Sequence, residues 1–280
     1  MKKDKYILSN LALGDFVIDC FFMKKLNYHF HIIAPESFRP LAQCLGVDNQ
    51  VLFFESNEKI PPKIFSVKSS MFREIISSFV GIRRSIKEII KGKNIIIPHK
   101  DIRWKILIKG LNPAKVSYIC NSSQNIYAAY IKFFSIQKKN IYPIFANKKI
   151  KKIFIFPDSR QSHKVLSIVT LENILGKLRV FSLDITLCSY KKPRMLNSNI
   201  HEEVYNSFDD LTEFISSSDL VITADSLPLH LAYFHEKNVF VISDKLNSRL
   251  FPENIIQQKN FCTFNDWTNF DNLFKKYDCK

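Results

Sequence analysis

Short apolar runs and longer amphipathic stretches alternate along this chain. Lys5 to Leu13 opens as an apolar run ending at Gly14-Asp15, and an amphipathic segment, Phe16 to Leu26, follows. A second run, His29 to Ala34, is stopped by Pro35; a helical stretch lies around Phe38 to Leu45, and Val51 to Phe54 has the length and make-up of another strand. Residues 71–93 space Ile and Phe among Lys and Arg at helical intervals, which predicts a basic amphipathic helix ending near Gly92. Asn94 to Pro98 and Val116 to Cys120 are further strands, with Trp104 to Ile108 opening a helix between them. Strands separated by helices predict parallel pairing.

The texture changes after Tyr142-Pro143, where Asn147-Lys-Lys-Ile-Lys-Lys152 forms a polar, charged bridge. A domain boundary is expected there, giving domains 1–148 and 149–280. The alternation then restarts with strand Ile153 to Phe156, a helix from about Ser162 to Leu175 and a strand Arg179 to Leu183. A polar stretch, 188–206, leads to a helix at Phe208 to Ser216, a strand at Leu220 to Thr223, a helix over 227–236, and a last clear strand at Val239 to Ile242. Each half therefore has the pattern of a Rossmann-like α/β unit.

The sharpest local feature is Val221-Ile-Thr-Ala-Asp-Ser-Leu-Pro-Leu-His-Leu-Ala232. A buried strand ends at Thr223, Asp225-Ser226 turn into a helix, and Pro228 occupies its first turn, where no N–H is needed. Free N–H groups and the helix dipole make such a junction a natural phosphate site, with His230 about one turn further on. A capped helix with a structural histidine explains the same residues. Near the N-terminus, Leu11-Ala-Leu-Gly-Asp-Phe-Val-Ile18 places Asp15 where a first strand passes into a first helix; alone, it reads as a helix cap as readily as a base. After strand 153–156, Pro157-Asp-Ser-Arg-Gln-Ser-His-Lys164 sets Lys164 five residues after Ser159, a spacing open to an anion contact or to a solvated surface lysine.

Together these three segments resemble the heptosyltransferase-like glycosyltransferases of family 9, whose signature is D-S/T-G-x-x-H. Asp225, Ser226, Pro228, His230, Leu231 and Ala232 match it, and Phe208 to Thr223 is similar to the helix and strand that precede it. The resemblance implies a GT-B fold, two Rossmann-like α/β domains with an interdomain cleft. The first domain would bind the acceptor and the second a nucleotide-sugar donor. It further implies inverting, metal-independent transfer to a (lipo)polysaccharide or lipid-linked saccharide, with Asp15 as the general base. Ser159, Lys164, Asp225, Ser226, Leu227 and His230 would hold the donor and its diphosphate. No Asp-x-Asp metal motif is present, and neither metal nor cofactor is expected beyond the donor substrate. Leu227 departs from the family's glycine, and the glutamate that contacts the nucleoside has no clear counterpart; Asp184 is the nearest acid. These departures keep a catalytically degenerate nucleotide-binding protein as the alternative.

Charge adds one element to this picture. Residues 1–150 carry 25 Lys and Arg against 10 Asp and Glu, while residues 151–280 carry 16 against 16, so the whole net charge of +15 belongs to the first half. Either biased composition leaves a lysine-rich solvated face, or this half meets an anionic partner. In the second case Arg73, Arg83, Arg84 and Lys87 would contact a phosphorylated glycolipid acceptor or the inner membrane surface. A basic nucleic-acid-binding protein is supported by charge alone, without a helix-turn-helix, zinc-finger or RNA-recognition signature. The six cysteines show no C-x-x-C pair and no regular spacing, so reduced thiols are expected. Asp15 and Asp19 interrupt the apolar start, and no run approaches the ~18 apolar residues of a membrane span. The expected location is cytoplasmic, peripheral on the membrane at most.

Overall fold

The computed structural model of the chain describes residues 4–9, 12–55, 72–100, 102–121, 124–138, 141, 149–194, 196 and 200–275. The chain divides into two compact units, Met1–Ile136 and Gln137–Lys280. Of the polar bridge expected over Asn147–Lys152, residues 147 and 148 lie outside the described residues, as does Leu11, while Lys152 already opens a strand of the second unit.

The first unit is a five-stranded parallel sheet of β1 (Lys5–Leu8), β2 (His31–Pro35), β3 (Val51–Phe54), β4 (Asn94–His99) and β5 (Lys115–Cys120), in the order β3-β2-β1-β4-β5. Its helices are α1 (Leu13–Lys25), α2 (Arg39–Cys44), α3 (Phe72–Ile90), α4 (Ile102–Ile108) and α5 (Ile126–Phe133). Leu8, Ile33, Ile95 and Ile97 share a buried cluster with Ile82, Ile86 and Ile90 of α3 and with Trp104 and Leu107 of α4. The i, i+4, i+8 spacing of those α3 isoleucines turns its apolar face into the core. Helix α1 is buried over Phe16 to Met23 without interruption, Asp19 included. Rings of α5 pack on it, Tyr130 stacking on Phe22 with centroids 4.5 Å apart. Each side chain of this size contributes roughly 1.5–3 kcal/mol by burial.

The second unit is a six-stranded parallel sheet of β6 (Lys152–Phe156), β7 (Asp184–Tyr190), β8 (His201–Tyr205), β9 (Leu220–Ala224), β10 (Asn238–Ser243) and β11 (Phe261–Thr263). Its order is β11-β10-β9-β6-β7-β8. The helices are α6 (Ile168–Leu178), α7 (Phe208–Ser217), α8 (Leu227–Phe234), α9 (Glu253–Gln257) and α10 (Thr268–Asp271). Strands β9 and β10 are buried at every residue, as central parallel strands covered on both faces should be. Helix α7 begins with a capping box in which Ser207 and Asp210 satisfy each other's backbone N–H groups.

One expected strand is displaced. Arg179 ends α6 and 180–183 form a turn, with the Phe181 N–H on the Leu178 carbonyl and Val180 78% exposed; the strand runs over Asp184–Tyr190 instead. The polar stretch 188–206 hides β8, an edge strand whose Glu202 accepts the N–H groups of Arg194 and Leu196 in the preceding loop. An edge strand needs no apolar run, which is why His-Glu-Glu-Val-Tyr reads as loop.

Numbered within its own unit, each sheet has the order 3-2-1-4-5, extended by a sixth strand in the second unit. The expected pair of Rossmann-like α/β units is therefore observed. In both, the chain reverses direction across the sheet between strands one and four: β1 and β4 in the first unit, β6 and β9 in the second. Helix starts diverge at these two points and leave a crevice beyond the carboxyl ends of the strands.

Candidate functional site

At the second unit's reversal point the loops following β6, β9 and β10 converge. Leu166, fully buried, anchors the β6 loop, and its N–H on the Pro157 carbonyl at 2.9 Å closes residues 157–166 into a compact turn. That closure carries Lys164 to the end of β9, where its Nζ lies 2.7 Å from Oδ2 of Asp225. Asp225 is 5% exposed and Lys164's side chain 15%, so water screens this pair weakly. Asn247, from the loop after β10, donates its Nδ2 to the same oxygen at 3.1 Å. An ammonium has three donors; the bond to Asp225 uses one and fixes the direction of the others.

Ser226 is the N-cap residue of α8, but its side chain makes no capping bond; the hydroxyl turns back to the Ala224 carbonyl at 3.4 Å. Pro228 has no N–H and the Leu229 N–H is taken by the Ser226 carbonyl at 3.2 Å, so it is the Leu227 N–H that opens α8 without a side-chain cap and suits an anion. Leu227 begins α8 with no left-handed backbone, so a residue with a Cβ fits there without strain. His230, one turn on, is buried in α8. Ser159, half-buried, uses its Oγ to accept the Gln161 N–H at 3.3 Å, which shapes the loop that delivers Lys164. Asp184 opens β7 and so lies at the amino ends of the strands, away from this crevice. The C-terminal end of β7 carries Tyr190, whose N–H is held by Asp158 at 2.7 Å, and the other oxygen of Asp158 pairs with Arg194.

At the first unit's reversal point, Asp15 projects from the opening turn of α1, where the helix dipole favours a carboxylate. Gly14 is helical rather than part of a left-handed turn, so the passage from strand to helix does not depend on it. The Nε2 of His99, the last residue of β4, lies 3.7 Å from Oδ1 of Asp15, with side chains 16% and 19% exposed. Burial alone would favour a neutral imidazole; hydrogen bonding and charge from Asp15, with Cys120 acting in the same direction, outweigh it and push His99 up to about 10. Asp19, one turn along α1, is fully buried, and its Oδ1 accepts the Tyr130 hydroxyl. Burial raises Asp19 to about 7 against the opposing Tyr130 hydrogen bond.

The basic residues of α3 have divided roles. Arg83 donates to the carbonyls of Ile106 at 2.8 Å and Lys109 at 2.7 Å, closing the end of α4. Arg84 and Lys87 are exposed, and Arg73's side chain lies outside the described residues. Among the described residues no group of three His, Cys, Asp or Glu could hold a metal ion, and no helix is long and apolar enough to cross a membrane.

His99 and Asn247 were not singled out by the sequence. His99 follows the proline that appeared to end its strand, and Asn247 stands in a polar loop without a motif; only sheet order brings either to a crevice.

The same architecture occurs among solved structures. E. coli heptosyltransferase WaaC with ADP matches with a TM-score of 0.58 at 13% identity, covering 98% of each chain. A glycosyl transferase family 9 protein from Veillonella parvula gives 0.61 at 12% identity, over 99% of this chain and 92% of the other. A putative UDP-N-acetylglucosamine 2-epimerase from Listeria monocytogenes gives 0.52 at 13% identity, over 99% and 90%. The likeness suggested by the motifs thus extends to the fold over nearly the whole chain, and the fold is the expected GT-B fold, each unit a Rossmann-like α/β unit. The sequence matches no protein-family model and no curated protein.

Proposed function

We propose that this chain is a glycosyltransferase that takes a sugar from a nucleotide-diphosphate donor and transfers it with inversion to an anionic saccharide or glycolipid. The observation that carries the reading is Lys164, fixed by Asp225 at the uncapped start of α8, at the reversal point of the second sheet. Those residues belong to the three segments that match the family's motifs. In this reading Lys164 and the Leu227 N–H that opens α8 stabilise negative charge as the diphosphate leaves. Asp15 removes the proton from the acceptor hydroxyl as it attacks the anomeric carbon. No metal is required by this scheme, since the ammonium and the helix dipole do the neutralising. The positive charge concentrated in the first 150 residues, with Arg84 and Lys87 exposed, supports an anionic acceptor presented at the inner membrane surface.

Thermal unfolding with ADP, UDP, GDP, CDP and CMP tests the donor site. A nucleotide at a hundred times its Kd stabilises by ~2.7 kcal/mol, a shift of a few degrees. One diphosphate is expected to produce it in wild type and not in Lys164→Met. Absence of a shift with every nucleotide would favour a member that has lost donor binding. A nucleotide sugar converted into its epimer, without release of the nucleotide to an acceptor, would instead align the chain with the epimerase that shares its fold.

A further inference from the structure

The reversal point of the first unit holds a charged partner that the proton-removal step leaves without a task. We propose that His99 is a positioning residue for Asp15: as an imidazolium it holds one carboxylate oxygen and leaves the other for the acceptor hydroxyl. This inference rests on Asp15 acting as the base.

Three observations carry it. The two groups come from the elements on either side of the reversal point, the first turn of α1 and the last residue of β4, and lie 3.7 Å apart, Nε2 to Oδ1. The backbone of His99 is fixed: it is in register with Cys120 of β5, and the next N–H, of Lys100, donates to the Cys120 carbonyl at 2.9 Å. Both side chains are mostly buried yet reach the surface, so their attraction is only partly screened while Asp15 stays accessible.

The groups acting on His99 are Asp15 from α1 and Cys120 from β5. Asp19, also on α1, is lowered slightly by the charge of His99. Burial pushes Asp19 up to about 7, so it is partly protonated at neutral pH. A base beside an anionic donor meets like charge, which disfavours its ionised form. A fixed cation 3.7 Å from Asp15 offsets that repulsion. An uncharged side chain at position 99 would not.

Nitrogen-detected spectra of the full chain, labelled at its 7 histidines, test the pair directly. His99 is assigned by its disappearance in His99→Gln. In wild type its signal is expected to stay that of an imidazolium well above the ordinary 6.5, and in Asp15→Asn its titration should fall by about two pH units or more. Titration near 6.5 in wild type, or no response to Asp15→Asn, would overturn the proposal. Turnover of the nucleotide sugar selected by the thermal panel then tests the role. His99→Gln should lower kcat by about tenfold or more with donor KM little changed, and His99→Lys should recover part of the loss. Full activity in His99→Gln with loss in His99→Lys would mean that shape rather than charge matters, and would overturn it. Should no nucleotide sugar be turned over, the proposed function fails while the titration still decides whether the pair exists.

Discussion

The two reversal points are built alike and loaded oppositely. In the first unit the carboxylate, Asp15, follows strand one and the cation, His99, ends strand four. In the second the cation, Lys164, follows strand one and the carboxylate, Asp225, follows strand four. The first pair is open at 3.7 Å and uses an imidazole, whose charge depends on its surroundings. The second is closed at 2.7 Å, nearly dry, and reinforced by Asn247. A loose pair with an accessible carboxylate suits a group that must accept a proton. A tight pair with a lysine suits a fixed charge that must not move when a diphosphate arrives. In the proposed function, that difference fits proton transfer by the first unit and anion recognition by the second, on one shared sheet order.

The largest expected effect is on turnover. Asp15→Asn should lower kcat by roughly 10²–10⁴-fold, as removal of a general base does, and should also lower thermal stability at neutral pH because the His99 imidazolium loses its partner. Retained activity in a steady-state assay would break the assignment. Next, Lys164→Met removes one partner of a buried pair in the second unit and should cost about 3–5 kcal/mol in denaturant unfolding.

A third prediction concerns pH. Because Asp19 titrates at about 7 when folded against 3.8 ordinarily, the folded state holds that proton more tightly than the unfolded chain. Its cost to stability is absent below pH 3.8, grows as pH rises, and is complete above about 7. Asp19→Asn keeps an acceptor for Tyr130 and should raise Tm by a few degrees at pH 8, with the gain vanishing near pH 4. His99 has the opposite dependence: its raised value adds stability that is complete below 6.5 and is lost as pH climbs through about 10. Melting curves of His99→Gln between pH 6 and 10 should therefore converge on wild type at the alkaline end. The smallest effect is Arg83→Met, which uncaps α4 and should cost on the order of 1 kcal/mol while leaving nucleotide binding intact.

Much of this comparison was legible in the sequence, for identifiable reasons. Buried parallel strands such as Leu220–Ala224 are continuous apolar runs, and helices such as α3 carry their apolar stripe at regular spacing, so both announce themselves. The D-S-x-P-x-H segment named Asp225, and the loop spacing named Lys164, before any geometry joined them. What stayed hidden depends on long-range order. Edge strand β8 is polar because half of it faces solvent, and β11 is only three residues long. His99 lies 84 residues from Asp15 and Asn247 22 residues from Asp225, and nothing local in either stretch signals the partner. Arg83 looked like part of a basic face, yet its partners are carbonyls 23 and 26 residues away.

The account turns on whether the two reversal points divide the work as their pairs suggest. Isothermal titration of a nucleoside diphosphate into wild type, Lys164→Met and Asp15→Asn measures this directly. The account predicts that Lys164→Met abolishes binding while Asp15→Asn binds as wild type does. Undiminished binding in Lys164→Met, or its loss in Asp15→Asn, would contradict it.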